Sequence, residues 1–216
     1  MNGKLISLSG IDGAGKSSQI RSIQKYYKKR NQPFVYLWTR GGNTSGIEML
    51  KVFSRKVAGK RLPPSGHSNQ RDQILKKKWI QKVWLTLAII DLMRIYAVNI
   101  RWKLWRGTIV ICDRYLWDTL IDFKIMFPDV CIEKWILWKI LVWCAPVPSV
   151  EYLLMIPIET SEKRCLQKYE PFPDTPERRS RRYRLYKEIL NLNKWTVIDA
   201  TQTAETVFVE IQHKLP

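Results

Sequence analysis

Chemistry is concentrated in eight residues near the start of the chain, Gly10-Ile11-Asp12-Gly13-Ala14-Gly15-Lys16-Ser17. Two glycines five apart, then a lysine, then a hydroxyl residue, make a loop that can wrap phosphate. Glycines let successive backbone N–H groups converge on one anion, and a following helix N-terminus adds partial positive charge. In such a loop Lys16 reaches the β- and γ-phosphates of a nucleoside triphosphate. Ser17 holds Mg²⁺ through its hydroxyl, and Ser18 extends the contact. Gly10, Asp12, Gly13, Ala14, Gly15, Lys16, Ser17 and Ser18 are therefore candidate ATP ligands.

A second group follows the apolar run Thr108-Ile109-Val110-Ile111-Cys112. Asp113 can order the water shell of Mg²⁺ or take a proton from an attacking group; alternatively it caps the strand end. Arg114 carries a fork of donors suited to phosphate, or to a surface ion pair. Arg40, beside Gly41 and Gly42, is a further anion candidate. Arg164 and Lys168 lead into the Pro-rich loop Tyr169-Glu170-Pro171-Phe172-Pro173, and Arg178, Arg179, Arg181, Arg182 and Arg184 follow. A hinged flap carrying arginines would exclude water and place positive charge beside a transferring phosphoryl group. Most of the five must instead be solvated, because few can face one site.

The elements that position these residues alternate. Leu5–Leu8 reads as a buried strand and Ser17 to about Arg30 as a helix. Phe34–Trp38, Thr108–Cys112, Tyr152–Ile156 and Trp195–Asp199 read as four further strands. Between them helices are expected at Ile47–Val57, from about Asn69 to Trp105, at Leu116–Met126, at Ile132–Cys144, within Thr160–Leu190, and at Ala204–Lys214. Leu85, Ala88, Ile89, Leu92, Met93 and Tyr96 form one apolar stripe, and Gly107 ends that helix. Such βα alternation implies a parallel sheet covered on both faces, with ligands beyond the carboxyl ends of the strands. Gly10, Arg40, Asp113 and Asp199 fall there.

The 216 residues suit a single domain, 1–216. Val83 to Ile100 is apolar but contains Asp91 and Arg94, so a buried helix is expected rather than a membrane span. No leader is expected before the first strand. The four scattered cysteines and two histidines offer no metal-like spacing, so buried, reduced thiols and a cytoplasmic protein are expected. The net charge of +18 fits polyanionic ligands without choosing among nucleotides, nucleic acid and an acidic membrane. Lys28-Lys29-Arg30 and Lys76-Lys77-Lys78 read as solvated helix faces.

Three segments resemble thymidylate kinase and its relatives among the P-loop nucleoside-monophosphate kinases: Leu8 to Ser18, Thr39-Arg40-Gly41-Gly42-Asn43-Thr44, and Val110-Ile111-Cys112-Asp113-Arg114-Tyr115. The arginine-containing stretch Arg164–Arg184 and the ending Val197-Ile198-Asp199-Ala200 are similar in placement. The resemblance implies a three-layer P-loop α/β fold with a central five-stranded parallel sheet, helices on both faces, and a short lid at about 168–182. It implies an ATP- and Mg²⁺-dependent kinase acting on dTMP or a related nucleotide. Lys16, Asp113, Arg114 and Arg164 would be catalytic, and Ser17 and Asp113 metal ligands. Arg164, Lys168 and Ala200 would border ATP; Asp12, Arg40 and Arg114 would hold the acceptor.

The family pattern is broken where Arg40 meets Gly41 directly. It is broken again after Asp-Arg-Tyr, where Asp118-Thr119 and Asp122-Phe123 replace a serine pair and Tyr-Gln. Asp118 and Asp122 share a helix face; they either contact a different acceptor or point to solvent. Arg94 lies near the position of a base-reading arginine, and its spacing from Asp91 offers a plain helix ion pair. A non-nucleotide acceptor such as a sugar or sugar phosphate, or a basic NTPase that binds nucleic acid, remain alternatives. Trp-rich patterns at Trp79–Tyr96 and Trp135–Trp143 fit a homodimer or core burial; no membrane partner is expected.

Overall fold

Short apolar runs make five parallel strands: β1 (Leu5–Gly10), β2 (Phe34–Trp38), β3 (Ile109–Asp113), β4 (Val150–Met155) and β5 (Thr196–Asp199). Their order across the sheet is β2-β3-β1-β4-β5. Every residue of β1 and β3 is buried, as expected of central strands whose two faces are both covered. The computed structural model describes residues 3–39, 78–168 (the Lys168 side chain excepted), 174–190 and 195–216. Arg40, Gly41, the expected helix Ile47–Val57 and most of the Lys76–Lys78 cluster lie outside the described residues.

The helices are α1 (Lys16–Lys29), α2 (Lys78–Met93), α3 (Arg101–Trp105), α4 (Leu116–Met126), α5 (Ile136–Cys144), α6 (Ile158–Lys168), α7 (Pro176–Leu190) and α8 (Ala204–His213). Side-chain alternation along the strands shows which helices share a face. Tyr152 on β4 donates its hydroxyl to the carbonyl of Ile211 on α8, and α8 packs against α1. From β1, Ser9 instead donates to Asp118 on α4, where α7 also packs. The result is a three-layer α/β sheet fold with helices on both faces.

The expected stripe on the long helix is where the core lies: Leu85, Ala88, Ile89, Leu92 and Tyr96 are fully buried, and Met93 partly so. Two boundaries differ from expectation. Between α2 and α3 the helix runs through a π-helical stretch, Arg94–Ile100, which shifts the facing of the residues beyond it. The helix expected over Ile132–Cys144 is a short 3₁₀ turn, Ile132–Lys134, then α5, because Trp135 between them is extended at ψ 132°. Lys78–Trp105 is long and apolar enough to cross a bilayer, but its stripe is part of the buried core. Cys112 and Cys165 are buried, Cys144 is half-buried and Cys131 is exposed, so the expectation of buried thiols fails at Cys131.

Candidate phosphate and acceptor site

The loop between β1 and α1 is built on glycine for two separate reasons. Gly13 and Gly15 have φ of +78° and +89°, left-handed values that favour glycine. Space adds a second reason at Gly13, where a Cβ would lie 2.9 Å from the Ser161 carbonyl oxygen, and at Gly10, where it would lie 2.6 Å from that of Leu154. No side chain caps the N-terminus of α1, so the first-turn N–H groups are left for an anion. Ser161, fully buried on α6, donates to the Asp12 carbonyl at 2.6 Å and holds the loop from below.

Lys16 folds back over this loop. Its Nζ donates to the carbonyls of Gly10 and Ile11, each at 2.9 Å. Burial, then the neighbouring Arg114 guanidinium, pull its pKa down to about 8 against partial support from Asp12 and Asp113. Ser17 is exposed at the mouth of the loop.

Leu8 on β1 pairs with Asp113 on β3, which brings the second expected group beside the first. Asp113 is 6% exposed. Its Oδ2 accepts from the Tyr36 hydroxyl at 3.3 Å, while Oδ1 is buried with no hydrogen-bond partner. Burial raises its pKa, opposed by Lys16 and Arg114. A buried carboxylate oxygen left open on the strand next to β1 and an exposed serine hydroxyl at the start of α1 are donors of the kind a hard divalent cation and its water shell take.

Arg114 has φ +72°, a strained value for a non-glycine residue that costs roughly 1–3 kcal/mol. Its side chain is turned inward and only 3% of the residue is exposed. One nitrogen donates to Asp12 Oδ1 at 2.9 Å; the other reaches the Tyr186 hydroxyl at 3.4 Å and lies 3.8 Å from Asp118 Oδ1. Tyr186 and the surrounding carboxylates outweigh burial and hold the guanidinium charged.

Asp118 and Asp122 do not point to solvent. Asp118 Oδ2 accepts from Ser9 Oγ at 2.7 Å and from the Tyr115 backbone N–H at 2.9 Å, and Oδ1 accepts from the Tyr186 hydroxyl at 2.5 Å. Those bonds leave it positioning Arg114 and Tyr186 rather than facing a ligand. Asp122 accepts from Arg182 at 2.6 Å, and Arg182 also donates to Asp174 at 2.8 Å. Of the expected lid, 169–173 and the Lys168 side chain lie outside the described residues. Residues 176–182 are the first half of α7, where Arg179 and Arg182 are buried and Arg178, Arg181 and Arg184 are more exposed. Arg182 is thus pinned in the core and does not ride a flap. Arg94 makes the plain helix pair with Asp91 at 2.9 Å.

Arg164 donates to the carbonyls of Ala200 at 2.9 Å, Thr201 at 3.2 Å and Gly13 at 3.5 Å. It therefore straps the Ala200 turn to the phosphate loop. Residues that the sequence reading passed over complete the site: Tyr186, whose hydroxyl also lies 3.3 Å from the Gly10 backbone N–H, Ser9, Ser161 and Thr39. Thr39 donates to the Arg114 carbonyl at 2.8 Å. Two serines, Ser7 and Ser9, on the buried β1 were the available signal for Ser9; Tyr186, 68 residues from Asp118, offered none.

No family model matches the chain. Among curated proteins it is 25% identical over 217 residues to the thymidylate kinase of Bifidobacterium longum strain NCC 2705, covering 98% of this chain and 97% of the relative. The thymidylate kinase of Cupriavidus pinatubonensis strain JMP 134 is 25% identical over 219 residues, with 98% and 97% covered. That of Desulfotalea psychrophila is 28% identical over 165 residues, with 75% and 68% covered. With end-to-end similarity joined to a glycine–lysine cradle and an Asp-Arg pair at the neighbouring strand end, the chain is thymidylate kinase-like.

Proposed function

We propose that the protein is a kinase that moves the γ-phosphoryl group of ATP to dTMP or a related nucleoside monophosphate. The observation that carries this reading is the opposition of two cations across adjacent strand ends, Lys16 over the loop and Arg114 on its left-handed turn. One suits the donor's phosphates and the other the acceptor's. Names of the relatives favour a nucleotide over a sugar as acceptor.

In this reading triphosphate replaces the Gly10 and Ile11 carbonyls as the partner of Lys16, and the uncapped α1 N–H groups close on its oxygens. Ser17 and Asp113 would hold Mg²⁺, which supplies neutralisation of charge on the β- and γ-oxygens. Asp12, now paired with Arg114, turns to an acceptor hydroxyl while Arg114 grips the acceptor phosphate. Arg164 and the Ala200 turn border the base. Lys168 and Arg40 join ATP and acceptor respectively. The exposed stripe Trp79, Val83, Leu87 and Ile90 on α2 supports pairing with a second copy.

Coupled ADP release from purified protein tests the proposal against dTMP, dUMP, other nucleoside monophosphates, nucleosides and sugar phosphates. Turnover that depends on a nucleoside monophosphate supports it. Turnover only with a sugar or sugar phosphate, or ADP release indifferent to every acceptor, overturns it.

A further inference from the structure

The end of the sheet opposite the phosphate loop carries a second surface. Arg101 donates to the Cys144 carbonyl at 2.7 Å, joining the end of the long helix to the end of α5. Around that junction Trp105 is 79% exposed, Trp143 85% and Val147 90%, and half of Trp102 is open as well. Solvated tryptophans at three neighbouring positions are unusual for a surface that meets only water.

Cations surround them. The Arg106 guanidinium lies 3.8 Å from the Trp102 ring centre and the Lys103 ammonium 6.0 Å from it. Acid is excluded on both segments: the sequence has no Asp or Glu between Asp91 and Asp113, nor between Glu133 and Glu151. Amphipathic aromatic rings flanked by Lys and Arg, on segments that carry no acid, match the boundary between lipid headgroups and acyl chains. An anionic leaflet complements the charge, and the rings supply the apolar insertion that a purely ionic partner would leave unused. A symmetric dimer through this face would instead bring the same cations together. The helix does not span the bilayer, because Leu85, Leu92, Tyr96 and Ile100 are buried in the core of the fold.

We propose that the foot of the sheet, centred on Trp102, Trp105 and Trp143, docks the folded protein on anionic membrane surfaces. The site end then faces away from the lipid. This departs from the absence of a membrane partner expected from sequence, and it does not depend on the kinase reading.

Flotation of the full-length protein with phosphatidylcholine vesicles, with and without phosphatidylserine, tests it. Partition should need phosphatidylserine and weaken as salt rises. The double variant W105S/W143S should lose at least tenfold in partition, and K103E/R106E a similar amount, each with its thermal midpoint unchanged. R21E/K163E, which removes the same charge from exposed positions on α1 and α6 nearer the phosphate loop, should lose far less. No partition of the wild-type protein, or equal losses in all three variants as for a general polycation, overturns the proposal. So does unchanged partition of W105S/W143S accompanied by a shift from dimer to monomer in sedimentation velocity, which would assign the patch to a second copy. Steep salt-dependent binding of single-stranded DNA in place of vesicles would assign it to nucleic acid and overturn it equally.

Discussion

Two buried polar regions lie within one molecule and are finished to different degrees. Around Asp122, Arg182 and Asp174 the guanidinium is held at 2.6 and 2.8 Å by two carboxylates, and all three residues are at least nine-tenths buried. Around the phosphate loop the same chain leaves Asp113 Oδ1 unpartnered, caps α1 with no side chain, and turns Lys16 onto carbonyls of its own loop. A closed network stabilises a fold; an open one at a strand end keeps its capacity for something that arrives later. The contrast separates residues that hold α7 in place from residues that are kept for chemistry.

Removing the arginine from the closed region should have the largest effect. R182M leaves two buried carboxylates without their cation, so it should cost about 3–5 kcal/mol in urea unfolding. A loss below about 1 kcal/mol would show that the network is not closed as described.

K16A should behave in the opposite sense. Turnover should fall about 10²–10³-fold in kcat, while the unliganded protein loses no stability, because a desolvated ammonium is removed from the core. Equal destabilisation by K16A and R182M would erase the distinction between the two regions.

A milder probe is pH. With the free-state pKa of Lys16 at about 8 and an anion favouring its charged form, ATP affinity should be full below pH 8 and decline as pH rises through it. Binding at pH 8.5 should take up a fraction of a proton, read by calorimetry in buffers of different ionisation enthalpy. The same shift affects folding: the unfolded lysine, near 10.5, binds the proton that the folded one has released. Lys16 therefore adds stability as pH climbs from about 8 to 10.5. Proton release on binding would show that another group controls the site.

Much of this arrangement was readable in advance. Alternation and length were enough for the five strands, since buried parallel strands are continuous apolar runs and Gly107, at φ +76°, stops the long helix as expected. The loop motif and Asp113-Arg114 were legible because their chemistry is local. The π-helical stretch, Arg94–Ile100, was not, because all of the apolar stripe but Tyr96 precedes it and so carries no mark of the change in period. Arg179 and Arg182 were hidden inside a charge run that reads as solvated. Their burial depends on Glu162, Asp122 and Asp174, partners set by how α4, α6 and α7 meet. Tyr186 was missed for the same reason: its partners Gly10 and Asp118 are brought to it only by the assembled sheet.

The strand order has a consequence for how the molecule is made. β1 lies between β3 and β4, so its two neighbours begin at Ile109 and Val150, more than a hundred residues downstream. Such distant pairings are slow to close. β1, made before either neighbour, is thus among the last strands to be braced on both edges, and a nascent chain stopped short of Val150 would leave one flank of β1 unpaired.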